Sequence, residues 1–245
     1  MQKNPWITIP QPNPRAKMRL FCFTFAGGGT AFFTNWVQSL PLTIELCPIR
    51  LPGRESRLRE KPYTSIADIV GPVADAIAPM LDKPFLFYGH SMGGVVSYET
   101  ARELKRRNLA EPQELFISGC RAAHVLDPDP PIHPLPDDEF LAAVAKLNGT
   151  PAAVMANKEL VQLLLPLLRG DFTAIETYRY AGGEPLNYPL TVFSGDNDPK
   201  ALVDHMEQWG EHTTARFTHH RMAGDHFFIQ NEPFLKLFGQ LLGQF

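Results

Sequence analysis

The chain has 245 residues, 44% of them hydrophobic and 20% charged, which suits a globular protein with one large or two small domains and a sizeable core. Its formal net charge of −3 argues against non-specific nucleic-acid binding, which depends on a basic surface. The opening "MQKNPWITIPQPNPRAK" has prolines where a signal peptide needs an apolar stretch, and no segment approaches the roughly 18 apolar residues of a membrane span. Cys22, Cys47 and Cys120 each lie in an apolar, strand-like run, and no pair has C-x-x-C spacing. They are expected to be buried free thiols in a reducing compartment. The expectation is a cytoplasmic protein with no membrane or nucleic-acid partner and, lacking H-E-x-x-H or Cys/His ligand spacing, no metal.

In chain order, "MRLFCFTFAGGG" reads as a buried strand running into a glycine loop, "AFFTNWVQSL" as a helix and "TIELCPIRLPG" as a second strand. "SIADIVGPVADAIAPML" has helical periodicity, and Ser65 and Asp68 have the spacing of a capping box with Asp in place of Glu. "PFLFYGH" is a third strand, residues 91–108 a third helix, and "ELFISGCR" a fourth strand. The alternation stops over residues 122–185, which contain "DPDPPIHPLP" and two helical patterns, "DDEFLAAVAKLNG" and "NKELVQLLLPLLRGDF". It resumes with "YPLTVFSG", "ALVDHMEQWGEH", "ARFTHHRM" and "EPFLKLFGQLLGQF". Apolar strands alternating with helices predict a mostly parallel central sheet covered on both faces, an α/β architecture forming one domain over residues 1–245. The 122–185 insertion enters at the carboxyl edge of the sheet, where ligands bind in such folds, and is expected to be a helical lid.

Gly89-His90-Ser91-Met92-Gly93 fits the nucleophile-elbow pattern G-x-S-x-G in the strand–turn–helix context that the pattern requires. Side chains two residues either side of Ser91 would collide as the helix doubles back on its strand. A serine held in that corner has its hydroxyl lifted clear of the sheet. The Met92 amide, at a helix N-terminus, is placed to stabilise developing negative charge. "FAGGGTAFF" lacks the lysine of a phosphate loop, and a dinucleotide fingerprint needs a glycine where Phe32 stands. Beside an elbow it is expected to supply the second oxyanion-hole amide, from Ala26.

A serine nucleophile needs a base, and the base needs an orienting carboxylate. Beyond the insertion, His205 and His212 fall on a predicted surface helix and His219 and His220 within a strand. His226, in "MAGDHFFI", follows the last strand in a glycine-containing loop at the carboxyl edge and is the expected base. For the acid, "FSGDNDP" offers Asp196 and Asp198; Asp225 would have to turn back on its own neighbour.

At these residues the chain resembles the type II thioesterases, the stand-alone α/β-hydrolases that accompany polyketide and nonribosomal peptide synthases. The similarity runs through "CFTFAGGG", "RLPGRESR", "GHSMGG", "ISGCRAA", "LPDDEFL", "LNGTP", "LLLPLLRGDF", "FSGDNDP" and "GDHFFI". The elbow is common to many hydrolases; "LNGTP", "LPLLRGDF" and "RLPGRESR" are more specific. The resemblance implies an α/β-hydrolase fold, a catalytic triad of Ser91, Asp198 and His226, and an oxyanion hole of Ala26 and Met92. It implies no cofactor, a monomer, and a substrate acyl group held as a thioester on the phosphopantetheine arm of an acyl- or peptidyl-carrier domain. The alternative is an esterase, lipase or medium-chain acyl thioesterase acting on small free substrates. Thr24 and His124 stand where many members have proline. Arg50, Arg54 and Arg57 are candidate carrier contacts, and Leu160, Leu163, Leu164 and Leu167 could face the acyl group or pack the insertion on the body.

Overall fold

A computed structural model describes residues 4–147 and 157–245. Six strands form one sheet in the order β2-β1-β3-β4-β5-β6. They are β1 (Met18–Phe23), β2 (Ile44–Pro48), β3 (Phe85–His90), β4 (Leu115–Ser118), β5 (Leu190–Gly195) and β6 (Phe217–Met222). Every pairing is parallel. The four-helix set packed on or between these strands is α1 (Ile66–Ile77), α2 (Met92–Arg106), the short α5 (Val203–Glu207) and the closing α6 (Glu232–Leu242). Between β4 and β5 lie α3 (Asp137–Ala145) and α4 (Lys158–Glu176).

The strands read as unbroken apolar runs because both faces of the sheet are covered. On one face Phe21, Phe87, Ile117 and Val192 meet Val73 and Ile77 of α1 and Val96, Ala101 and Leu104 of α2. Side chains one residue out of phase, Leu20, Leu86, Phe116 and Phe193, face the other way onto Trp36, Phe234 and Phe238. That second face is an aromatic stack, with Trp36 and Tyr88 rings 4.9 Å apart and Phe116 edge-on to Phe238 at 5.3 Å.

Several local expectations change. The "AFFTNWVQSL" segment forms 3₁₀ turns over Thr30–Ser39 rather than an α-helix, and "QWGEH" likewise forms a 3₁₀ segment after α5. Its aromatic side chains choose the backbone by packing on the sheet, and Phe33 and Trp36 are buried. Ser65 does occupy the N-cap of α1, but its side chain makes no capping bond. Asn157, by contrast, caps α4 by accepting from the Leu160 amide at 3.1 Å. The α4 helix runs on past Phe172 to Glu176, and Phe140 and Val144 of α3 pack with its Leu165 and Leu168 in a small cluster separate from the sheet core. Residues 148–151 of the "LNGTP" motif lie outside the described residues.

The strand order positions the site. The chain leaves β1 for β2 on one side and returns to β3 on the other, so β1 and β3 are neighbours whose carboxyl-end loops diverge. A crevice at such a switch point is the preferred ligand position in parallel sheets.

Candidate active site

Ser91 sits between β3 and α2 with φ 53° and ψ −123°, a conformation costing on the order of 1–3 kcal/mol for a residue with a side chain. The flanking glycines are a steric requirement. A Cβ on Gly89 would lie 2.1 Å from the Gly93 carbonyl oxygen, and one on Gly93 would lie 2.2 Å from that of Phe23. The tight approach of α2 to β1 and β3 is what throws Ser91 out at the sheet edge. Its amide is tied back to the Ser118 carbonyl at 2.9 Å.

Ser91, Ala26, Met92 and His226 line one cavity of about 600 Å³, within the usual size of small-molecule sites. Ala26 follows β1, while Ser91 and Met92 follow β3: these are the two strands at the switch point. Neither the Ala26 nor the Met92 amide meets a protein acceptor among the described residues. His226 Nδ1 lies 2.7 Å from Asp198 Oδ2. The other oxygen of that buried carboxylate accepts from the Lys200 amide at 2.8 Å and the Ala201 amide at 3.3 Å. Asp198 therefore holds the Nδ1 proton and leaves Nε2 as the acceptor nitrogen of the neutral ring. Asp196 is exposed and accepts from Arg221 Nη2 at 2.9 Å, and Asp225 caps the Phe227 amide at 2.9 Å; neither reaches His226.

His90, inside the elbow motif, went unremarked in the sequence. It is fully buried, its ring centroid 4.9 Å from that of His226. Its Nδ1 is 2.9 Å from Ser118 Oγ, which in turn is 2.5 Å from the Tyr88 hydroxyl. Burial and, secondarily, the neighbouring His226 push the His90 imidazole well below its usual range. The ring thus stays neutral beside His226. The signal was available: strand alternation puts Tyr88 and His90 on one face of β3, with Ser118 the register partner of His90.

The 3.6-residue stripe of the insertion does not wall this cavity. Leu163 is exposed and Leu167 buried, and none of Leu160, Leu163, Leu164 and Leu167 lines the cavity. The wall comes from the later turns of α4, at Phe172 and Ile175. Of the three arginine candidates, Arg54 and Arg57 are buried and Arg50 is half-buried. Arg50 bonds to Glu55, Ser56 and Thr8. Arg57 is buried, bonded to Glu60 and stacked 3.9 Å over the Trp6 ring. Arg54, 3% exposed, makes a forked pair with Asp171 of α4 at 2.8 and 3.0 Å and donates to the Gly28 carbonyl at 2.6 Å. Asp171 also accepts from the Gly27 amide at 2.7 Å. Two motifs distant in sequence, "RLPGRESR" and "LPLLRGDF", are thereby joined to the glycine loop in one buried cluster. Asp171→Ala is expected to cost about 3–5 kcal/mol by stranding the buried Arg54 cation, which at about 2–4 °C per kcal/mol lowers Tm by about 10 °C. Thermal denaturation checks this. An Arg54→Met/Asp171→Leu pair should regain part of the loss, and a single variant melting with wild type would contradict the assignment.

His212, expected on a solvated helix, is buried. It bonds through Nδ1 to the Tyr98 hydroxyl and through Nε2 to His124 Nδ1, each at 2.8 Å. His124 is turned into this cluster, with Gln208 at 3.2 Å, and does not line the cavity. Burial, then the His124 charge, brings the His212 imidazole down to about 4 from an ordinary 6.5. Below about pH 6.5 the unfolded chain takes up a proton here that the folded one refuses, so folding stability falls with pH, by on the order of 3 kcal/mol once the pH is below about 4. Melting curves from pH 7 to 4 should therefore fall more steeply for wild type than for His212→Gln; parallel slopes would contradict the assignment.

The "Thioesterase domain" family profile matches residues 18–242. The chain belongs to the thioesterase family. This thioesterase is similar to linear gramicidin dehydrogenase LgrE of Brevibacillus parabrevis, 44% identical across 93% of this chain and 88% of the relative. It is also similar to gramicidin S biosynthesis protein GrsT of Aneurinibacillus migulanus, 40% identical across 95% and 91%. Among solved structures it superposes on the type II thioesterase BorB from the borrelidin biosynthetic cluster with a TM-score of 0.88, at 31% identity over 97% of each chain. The thioesterase thus has the α/β-hydrolase fold. The dehydrogenase activity in the first relative's name finds no dinucleotide site in the glycine loop here. Phe32 replaces the third glycine, and the Asp171 carboxylate already occupies the Gly27 amide that a pyrophosphate would need. Among the described residues, no helix is long and apolar enough to cross a membrane.

Proposed function

We propose that this type II thioesterase removes acyl groups from the phosphopantetheine arm of carrier-protein domains in nonribosomal peptide or polyketide synthesis. The reading is carried by one observation. Ser91, His226 and the two free amides line a single cavity, with Asp198 fixed behind the imidazole. In the first half-reaction Ser91 Oγ attacks the thioester carbonyl while His226 Nε2 takes its proton. The Ala26 and Met92 amides stabilise the oxyanion, each such donor contributing about 3–4 kcal/mol to lowering the barrier. Collapse expels the pantetheine thiol, which receives the proton from His226, and leaves an acyl ester on Ser91. Water, activated by the same imidazole, releases the acid and restores the serine. Asp198 stabilises the imidazolium at both stages without itself taking the proton. Each step uses side chains and amides of this chain, with water as the second nucleophile.

Residues 122–185 act as the lid in this reading, since α4 supplies the apolar wall opposite the elbow. Lid-side Asp127 and Asp129 pair with Arg121 and Lys200 of the body loops along the same cavity. The three cysteines are free and buried, which suits a protein working in the reducing cytoplasm. The test is incubation with a panel of acyl-loaded carrier domains, followed by intact-mass measurement, alongside matched simple esters. Faster release from carriers supports the reading. Preference for the free esters would replace it with a general esterase.

A further inference from the structure

One face of α2 serves two cavities in succession. Met92 and Val95 line the catalytic chamber, and the next positions on that face, Glu99, Arg102 and Arg106, line a separate groove of about 790 Å³. Among the described residues only Tyr178 and Arg179 line both. The end of α4 divides in the same way, with Ile175 facing the chamber and Ala174 the groove. The Tyr178 hydroxyl donates to Glu99 Oε1 at 2.6 Å, fixing the ring across the boundary. Burial, then the Glu99 charge, raises the phenol, so it remains a donor. Glu99 in turn is held by Arg102 at 2.9 Å.

We infer that Tyr178 is the end wall of the acyl chamber and sets the longest chain the enzyme accepts well. At the wall the chamber is lined by Val95 and Ile175 with Glu176 and Arg179 beside them, and the groove beyond is lined by Ile66, Val70 and Ala174 together with the ion pairs Arg102–Glu99 and Arg106–Glu103. A methyl terminus packs against Val95 and Ile175 on the first side, and passing the ring would bring it among the ion pairs on the second. Met92 to Glu99 spans seven residues, about 10 Å of helix at about 1.5 Å per residue, enough for about eight carbons at an advance of about 1.3 Å each. Straight acyl chains beyond about that length meet the ring. Tyr178→Ala joins chamber and groove; Tyr178→Trp thickens the wall.

This rests on the thioesterase reading with Ser91 as nucleophile. The experiment measures kcat/KM for carrier-bound straight-chain C4, C8 and C12 acyl groups with wild type and both variants. Tyr178→Ala should raise the C12-to-C4 ratio at least fivefold, and Tyr178→Trp should lower the C8-to-C4 ratio at least fivefold. If either folded variant leaves its ratio within less than fivefold of wild type, the wall assignment is wrong. Should the alanine variant not fold, the tryptophan variant decides alone. Failure of the underlying reading looks different: wild type would release none of the three chains.

Discussion

Ser91→Ala is expected to lose thioester turnover by about 10⁴-fold or more, the scale on which a triad nucleophile fails when removed alone. The size follows from the geometry. His226 is supported by Asp198 and two unpaired amides face the same cavity, but none of these can form the acyl ester. What remains is positioning and oxyanion stabilisation of direct water attack. The variant should still fold, because alanine removes only Oγ and the strained φ of 53° at this corner is imposed by α2 packing on β1. Intact-mass analysis should show an acyl adduct, and labelling by a fluorophosphonate, on wild type and neither on Ser91→Ala. A folded alanine variant that still turns over within a hundredfold of wild type would remove Ser91 from the mechanism.

The second large effect separates two aspartates that the residue pattern leaves side by side. Asp198→Asn is expected to reduce kcat by about 10⁴-fold, because an amide can offer its NH₂ to His226 Nδ1, move the ring proton to Nε2 and so remove the acceptor that Ser91 requires. The backbone amides of Lys200 and Ala201 hold Oδ1 and fix the side chain's place, so the buried group cannot simply swing away. Asp196→Asn breaks only an exposed pair with Arg221, worth about 0–1 kcal/mol, and should keep kcat within about threefold. Stopped-time hydrolysis assays on both purified variants decide between them. Loss in Asp196→Asn with retention in Asp198→Asn would invert the choice of acid.

Much of this was legible before any coordinates. The continuous apolar runs of β1, β3 and β5 could only be strands buried on both faces, and G-x-S-x-G at a strand–helix junction leaves one practical use for the serine. These are short-range consequences of local sequence: periodicity, chain order and the volume of a Cβ. Where the sequence misled, long-range packing had overridden local preference. The Thr30–Ser39 segment has helical spacing, yet its aromatics dock on the sheet in a 3₁₀ path. His212 has the position of a surface histidine, yet it is drawn inward by Tyr98 and His124.

The parallel sheet, the elbow and the loop carrying His226 are written in local sequence, because each follows from residues near one another along the chain. Folding brings Asp198 rather than Asp196 to the imidazole, as the family resemblance implied but the residue pattern left open, locks Arg54 to Asp171 117 residues away, and stands Tyr178 between two cavities. Those outcomes depend on which distant groups become buried together. The free energy of a buried charge or hydroxyl is set by the partner it meets after folding, and a linear pattern does not contain that partner.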